Sequence, residues 1–240
     1  MDTWKYLENY FPKEFLKSCH KKKLIVILGL LGDFDSFEYV HALKKKQMFN
    51  DDSDVETIIF AIGTELAKEQ FCNFNDIPSK NLIVFEDNTI HKELDLDQGA
   101  KLTKSPYSNL LLMCAGFNSP GTLAEVVRGY TGDRGASEVF IDRKNIFKFF
   151  PFFNVSSFEL VFGIGYQRPL ELATLRLRNM IEIISNWHIY MNTNSFLTQR
   201  GGTFLFDNKR ELVYSFKSRS LLLYSDNMSI PLSFLQSESN

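Results

Sequence analysis

An apolar run from Leu24 to Leu31 constrains this chain more than any other feature. It shows no polar alternation, so it predicts a strand that is buried on both faces of a sheet. The segment that follows, Gly32 to Glu38, predicts the start of a helix, with Asp35 as N-cap and Glu38 completing a capping box. A strand that ends at a helix N-terminus is where α/β proteins commonly place their functional groups. Here that place holds carboxylates and a hydroxyl, and no thiol.

The composition argues against some classes of partner. The chain has 240 residues, 44% of them apolar and 23 of them phenylalanine, which suits one large folded domain with an aromatic-rich interior. The net charge of −2 gives no reason to expect a nucleic acid or an anionic membrane as partner. No stretch reaches the roughly 18 to 20 apolar residues that a membrane-spanning helix needs.

Cysteine and histidine usage bears on compartment and cofactors. Three widely spaced cysteines, Cys19, Cys72 and Cys114, do not make a disulfide framework, and the N-terminus lacks the pattern of a secretion signal. We therefore expect a cytoplasmic protein in a reducing compartment. The histidines are scattered, without the i,i+4 or His-x-His spacing of metal ligands, so neither a metal nor another cofactor is expected.

The order of the remaining elements predicts an α/β sheet. Helices are expected over 4–18 (interrupted near Pro12), 35–47 and 64–74, strands over 55–62 and 82–85, a hairpin of 201–206 with 212–216, and a last helix over 228–235. Strands that alternate with helices imply parallel pairing and right-handed crossovers. The section between, 98–198, is predicted to be mostly helical.

A long helix that starts at Pro169 is the clearest element of that section, since proline is favoured in a first helical turn. Apolar residues recur along it at steps of three and four, including Leu170, Ala173, Leu177 and Met180. A second apolar set lies on its other side, so this helix is expected to be buried on two faces.

Several segments resemble one protein family. Three strand–helix units followed by a hairpin and a terminal helix outline a thioredoxin-like fold. Seven segments are similar to the peroxiredoxin-like branch of the alkyl hydroperoxide reductase/thiol-specific antioxidant family, of the type found in photosynthetic lineages: 32–39, 119–126, 128–134, 166–169, 175–180, 199–204 and 227–235. The resemblance spans residues 4–235. It implies one thioredoxin-like domain, 1–240, with a central mixed sheet flanked by helices, a large helical insertion, 98–198, before the C-terminal hairpin, and an antioxidant role.

The chain departs from that family at the decisive place. Relatives carry a Cys-x-x-Cys after the first strand, and by position the two sulfurs would fall at Asp33 and Ser36. Peroxide reduction needs a thiolate, which attacks the O–O bond and becomes a sulfenic acid. We therefore expect a peroxiredoxin-like protein without the usual peroxidatic cysteine, acting as a binding or regulatory module. Asp33 and Asp35 either cap the helix or, with Ser36 and Arg200, hold a polar ligand.

The alternative is a thiol-dependent peroxidase or oxidoreductase that uses a relocated cysteine. Cys72, between two aromatic residues, and Cys114, in an apolar segment, are both more typical of packed thiols than of reactive ones, and Cys114 is expected to be the more deeply buried. Whether the chain is an enzyme stays open at this point.

The arginines allow two further hypotheses. Arg200 precedes the late strand and is expected near the Asp33–Ser36 loop, either as a salt bridge to Asp33 or Asp35 or as part of an anion pocket. The arginines between 128 and 178 predict an ion-pair lattice within the helical section, or else a docking surface for a protein partner or a second copy. Gly201 and Gly202 are expected to let their backbone approach the first-strand loop closely.

Overall fold

The computed structural model of the chain describes residues 3–18, 20–140, 155–191 and 193–236. Its centre is a five-stranded sheet in the order β3-β2-β1-β4-β5. The strands are β1 (Lys22–Leu30), β2 (Val55–Ile62), β3 (Leu82–Phe85), β4 (Gly202–Phe206) and β5 (Leu212–Lys217). The pairs β1–β2 and β2–β3 are parallel, whereas β1–β4 and β4–β5 are antiparallel. This is a thioredoxin-like α/β fold with a mixed sheet, as the sequence predicts.

Helices cover both faces of the sheet and fill the section before β4. They are α1 (Thr3–Leu7), α2 (Lys13–Lys17), α3 (Phe34–Lys45), α4 (Glu65–Asn75), α5 (Thr89–Glu93), α6 (Pro106–Cys114), α7 (Thr122–Thr131), α8 (Val155–Phe162), α9 (Glu171–Ser185) and α10 (Trp187–Tyr190). Helices α6 to α10 follow β3 and precede the β4–β5 hairpin. The limits of one domain over 1–240 and of an insertion over 98–198 stay predictions.

Strand β1 is buried on both faces, because its side chains alternate between two apolar cores. Leu24, Val26 and Leu28 belong to the core that packs under α3 and α4. Ile25 and Ile27 belong to the opposite core, which the N-terminal helices cover. The first-strand prediction is therefore confirmed, and the strand's carboxyl end leads directly into α3.

Three expected helix boundaries are wrong. Asp33, not Asp35, is the N-cap of α3, since its side chain accepts a hydrogen bond from the backbone N–H of Ser36. Helix α9 begins at Glu171 rather than Pro169, because Leu170 has a left-handed backbone, with φ of 66°, that interrupts the helix there. The helix expected over 228–235 is reduced to a short 3₁₀ turn, Ser233–Leu235.

Candidate functional site

The loop between β1 and α3 is fixed by its own polar groups. Asp33 Oδ1 accepts a hydrogen bond of 2.7 Å from the Ser36 backbone N–H, which closes the first turn of α3. The Ser36 hydroxyl donates in turn to the Leu30 carbonyl at 3.3 Å. Ser36 is fully buried. Positions 33 and 36 thus hold a capping carboxylate and a hydroxyl turned back onto the strand.

Arg200 reaches this loop from the segment before β4. Its Nη1 donates to Asp35 Oδ2 at 2.8 Å, and its Nη2 lies 3.7 Å from Asp33 Oδ2. Its Nε donates to the Thr198 carbonyl at 2.9 Å, which holds the guanidinium against its own backbone. Only 1% of Arg200 is exposed. The salt-bridge hypothesis for Arg200 is therefore confirmed by geometry, with Asp35 as the closer partner.

Asp35 joins three parts of the chain. Besides Arg200, it accepts a hydrogen bond of 2.7 Å from the backbone N–H of Leu222, in the segment after β5. Burial raises the pKa of both carboxyl groups, that of Asp35 to about 7, while the charge of Arg200 acts to lower them. The ion pair is thus a buried contact in which burial and the charge of Arg200 act on the carboxyl groups in opposite directions. It joins α3, the segment before β4 and the C-terminal segment.

Close backbone approach seals the loop from the β4 side. A Cβ atom added at Gly201 would lie 2.1 Å from the Ile27 carbonyl oxygen, and one at Gly29 would lie 2.4 Å from the Gln199 carbonyl oxygen. The close approach expected at Gly201 is confirmed. The void left beside Asp33, Asp35 and Ser36 measures about 20 Å³, which is room for one water molecule.

The two described cysteines lie in different surroundings. Cys72, on α4, is buried in the apolar core, and its burial raises the pKa of its thiol to about 11. Cys114, the last residue of α6, is exposed, so the expectation that it is the more deeply buried cysteine is wrong. Its helix buries Asn109 and Met113 instead, and Met113 packs in a small core with Ala100 and Leu221. The pKa of its thiol is raised, mainly by partial burial. The charge of Arg200 acts to lower this pKa, and the charge of Asp35 acts to raise it. Both thiols are free.

A large cavity lies next to the loop, among helices α6 to α9. It measures about 800 Å³ and reaches from Phe34, at the start of α3, to Met180 on α9. Its walls are mostly apolar and also include Cys114. Its further lining residues are Thr122, Val126, Gly129, Tyr130, Val161, Phe162, Leu170, Ala173, Thr174, Arg176, Leu177, Leu221 and Leu222.

The cavity explains why only one apolar face of α9 packs in the hydrophobic core. Leu172, Leu175 and Ile183 are buried as expected for that face. The other apolar stripe, with Leu177 and Met180, lines the cavity instead of packing against a neighbouring element. The prediction that α9 is buried on two faces is therefore wrong for the face that carries Leu177 and Met180.

Ion pairs hold the cavity wall to α3. Arg176 on α9 donates to both carboxylate oxygens of Glu38, at 2.8 and 3.2 Å, and to the Glu125 carbonyl at 2.8 Å. Arg128 pairs with Glu125 at 2.8 Å and with Asp133 at 3.3 Å. The ion-pair lattice expected in the helical section is confirmed at Arg128, Arg168 and Arg176. Glu38, assigned by its spacing to a capping box, is instead the partner of Arg176.

Sequence reasoning missed the cavity, Leu222 and the pairing of Glu38 with Arg176. The second apolar stripe of α9 was the available signal for the cavity, because a long helix with two apolar faces needs two partners. Leu222 acts through its backbone N–H, which leaves no mark in the sequence. The pairing of Glu38 joins residues 138 positions apart, and no local pattern encodes it.

Among the described residues, no group of three or more histidine, cysteine, aspartate or glutamate side chains is placed to hold a metal ion. Of the described helices, none combines the length and the apolarity that crossing a membrane requires.

A comparison with family models gives one match. The model described as AhpC/TSA antioxidant enzyme matches residues 42–220, which is well over half of the chain. The match begins within α3, so it leaves β1 and the Asp33–Ser36 loop outside. No curated protein matches the chain significantly. No solved structure does so either.

Proposed function

The chain belongs to the AhpC/TSA antioxidant family, and from that premise we propose that it is a member without the peroxide-reducing thiol, acting as a binding or regulatory module. The proposal places it in the cytoplasm, in a reducing compartment. The absence of a cysteine at positions 33 and 36, in a family whose chemistry depends on a thiolate, motivates it.

The observation that carries the proposal is the buried contact of Arg200 with Asp35 and Asp33, at 2.8 and 3.7 Å. A reactive thiol at a helix N-terminus needs an accessible position and a nearby cation that lowers its pKa. Here the cation is already bound to two carboxylates, and the adjoining void admits about one water molecule. A carboxylate in this place is stabilised by the helix N-terminus but is a poor nucleophile toward peroxides.

The ligand role predicted for the loop residues is limited to a very small ligand. Asp33, Asp35, Ser36 and Arg200 satisfy one another, so a polar ligand at this loop is limited to about the size of a water molecule. Larger molecules have room only in the adjoining cavity of about 800 Å³. We therefore propose that the loop stabilises the fold and that binding takes place in the cavity.

Steady-state peroxide consumption tests this proposal. The purified protein is given hydrogen peroxide or cumene hydroperoxide, with thioredoxin, thioredoxin reductase and NADPH, or with glutathione, as reductant. We expect NADPH oxidation or peroxide loss at the rate of the protein-free control. Saturable turnover that scales with protein concentration would refute the proposal.

A second candidate function is a thiol oxidoreductase that uses Cys114. The exposure of Cys114 in the cavity wall, within the electrostatic reach of Arg200, favours it. Its raised pKa weighs against it, because the thiolate is the reacting species. If turnover were seen, a Cys114→Ser variant would abolish it under this candidate. The matched Cys72→Ser variant would keep it, since Cys72 is buried with a pKa of about 11.

A further inference from the structure

We propose that the cavity among helices α6 to α9 binds one uncharged molecule with a long apolar chain, such as a long-chain alcohol or ester. This inference deepens the binding role proposed above and rests on it. It depends on three properties of the cavity, namely the chemistry of its walls, its charge balance and its openness to solvent.

Both threonine hydroxyls of the described wall are already satisfied by the protein. The Thr122 hydroxyl donates to the Leu221 carbonyl at 3.0 Å. The Thr174 hydroxyl donates to the Leu170 carbonyl at 2.7 Å. The remaining surface is almost wholly apolar. A ligand buried here therefore gains little from polar groups along its length, and its chain must be hydrocarbon.

Among the described residues of the cavity wall, Arg176 is the one cation, and carboxylates neutralise it. Arg176 binds the Glu38 carboxylate through two nitrogens, at 2.8 and 3.2 Å, and lies 3.7 Å from a carboxylate oxygen of Glu125. Two carboxylates thus face the Arg176 guanidinium, and Glu125 also pairs with Arg128, which in turn pairs with Asp133. A fatty-acid carboxylate would meet no free positive charge among the described lining residues, so an uncharged head group is favoured over an anionic one.

The cavity is open rather than sealed, and its volume suits a small molecule. Tyr130, Val161 and Leu170 line it and are also 59%, 68% and 42% exposed. An apolar surface of this size in contact with water favours an apolar occupant. The volume of about 800 Å³ lies in the range of sites that enclose most of a drug-sized ligand, roughly 300 to 1,000 Å³.

The experiment titrates the full chain with the uncharged fluorophore N-phenyl-1-naphthylamine and displaces it with ligands of defined chemistry. We expect one probe to bind per chain and to be displaced by C12, C14 and C16 alcohols. Affinity should rise about three- to fourfold for each methylene that is buried. The carboxylates of the same lengths should compete at least tenfold less well. Absence of probe binding by the wild type would overturn the proposal, as would preference for the carboxylates.

Two substitutions on α7 locate the site. Val126 lines the cavity, so Val126→Trp fills it and should weaken probe binding at least tenfold. Val127, the next residue, is 56% exposed and lies outside the lining, so Val127→Trp should bind like the wild type. Bound alcohol should also slow the alkylation of Cys114, a readout that needs no substitution and is unaffected by misfolding of a variant. Equal binding by both variants would overturn the assignment.

Light scattering separates a small-molecule site from a contact between copies. We expect the same mass with and without alcohol. A dimer that Val126→Trp makes monomeric would assign this face to self-association and overturn the proposal. Peroxide turnover is measured independently. If turnover is found while binding follows the pattern above, the thiol-free function fails and this ligand site stands.

Discussion

Arg200 Nη1 donates to Asp35 Oδ2 at 2.8 Å across 165 positions of sequence, so the start of β4 is tied to the first turn of α3 by a buried ion pair. The contact lies in the loop between β1 and α3, where a buried carboxylate needs a cation. Under the proposed function, this loop is the place of the missing reactive sulfur.

Removal of one partner of this pair is expected to be costly. Arg200→Met leaves two buried carboxyl groups without their cation, so the free energy of unfolding should fall by about 3 to 5 kcal/mol. Urea denaturation at pH 7.5 measures the change. Arg134→Met is the matched control, because Arg134 is exposed and a surface change should cost less than about 0.5 kcal/mol. An Arg200→Met variant within 1 kcal/mol of the wild type would contradict the structural role of the pair.

A second prediction concerns the backbone contact beside that pair. A Cβ at Gly201 would lie 2.1 Å from the Ile27 carbonyl oxygen. Ile27 belongs to β1, and Gly201 is the residue immediately before β4. Gly201→Ala should therefore lower the free energy of unfolding by at least about 2 kcal/mol. Gly135→Ala serves as the control, since the nearest atom to its Cβ is the Asp133 side-chain oxygen at 3.3 Å. Equal stability of the two variants in urea would show that β4 shifts without cost.

His91 should make stability depend on pH. Its Nε2 donates to the Leu28 carbonyl at 2.7 Å, and burial lowers its pKa from 6.5 to about 4. Between these values the unfolded chain binds a proton that the folded chain does not. Stability is therefore lost as the pH falls through this window, by about 2 kcal/mol between pH 7.5 and 5 for this residue.

His91→Gln keeps a donor for Leu28 and should remove that part of the pH dependence. His41 contributes in the same direction, with its pKa lowered to about 4 by burial, so some dependence stays. His188 is exposed, so His188→Gln serves as the matched control. Urea denaturation of each variant at both pH values gives the comparison. Identical profiles for the two variants would refute the assignment.

The cysteines should differ in their reaction with iodoacetamide at pH 8. Cys114 is exposed but has a raised pKa, so its alkylation should be no faster than that of free glutathione. Cys72 is buried with a pKa of about 11 and should be labelled only after unfolding in urea. Peptide mass spectrometry at timed intervals measures the extent of alkylation at both cysteines. Labelling of Cys114 that outpaces glutathione would point to an activated thiol and favour the oxidoreductase alternative.

The sequence predicts those parts of the fold that local patterns encode. The uninterrupted apolar run of β1, the strand over Val55–Ile62 and the Thr64 cap of α4 are all present, since each depends on neighbouring residues. The two wrong readings near the site share one cause. By their spacing, Asp35 and Glu38 fit a capping box. Instead, Asp35 pairs with Arg200 and Glu38 pairs with Arg176, both far away in sequence. The helix is capped by Asp33.

The cavity and the exposure of Cys114 were beyond sequence reasoning for a related reason. An apolar stripe on a helix predicts a partner but does not say whether that partner is protein or a ligand-sized space. Leu177 and Cys114 both belong to apolar segments, yet both line the cavity. Their surroundings are decided by how helices α6 to α9 are placed, and no spacing rule gives that arrangement.

The most direct test of the central claim is a single-turnover experiment. Fully reduced protein is mixed with one equivalent of hydrogen peroxide in the presence of dimedone, which traps sulfenic acid, and the adducts are located by peptide mass spectrometry over seconds to minutes. Under the proposed function, in which Asp33 and Ser36 stand in place of sulfur, the chain should form no adduct faster than free glutathione does. A stoichiometric adduct on Cys72 or Cys114 within seconds would contradict the account.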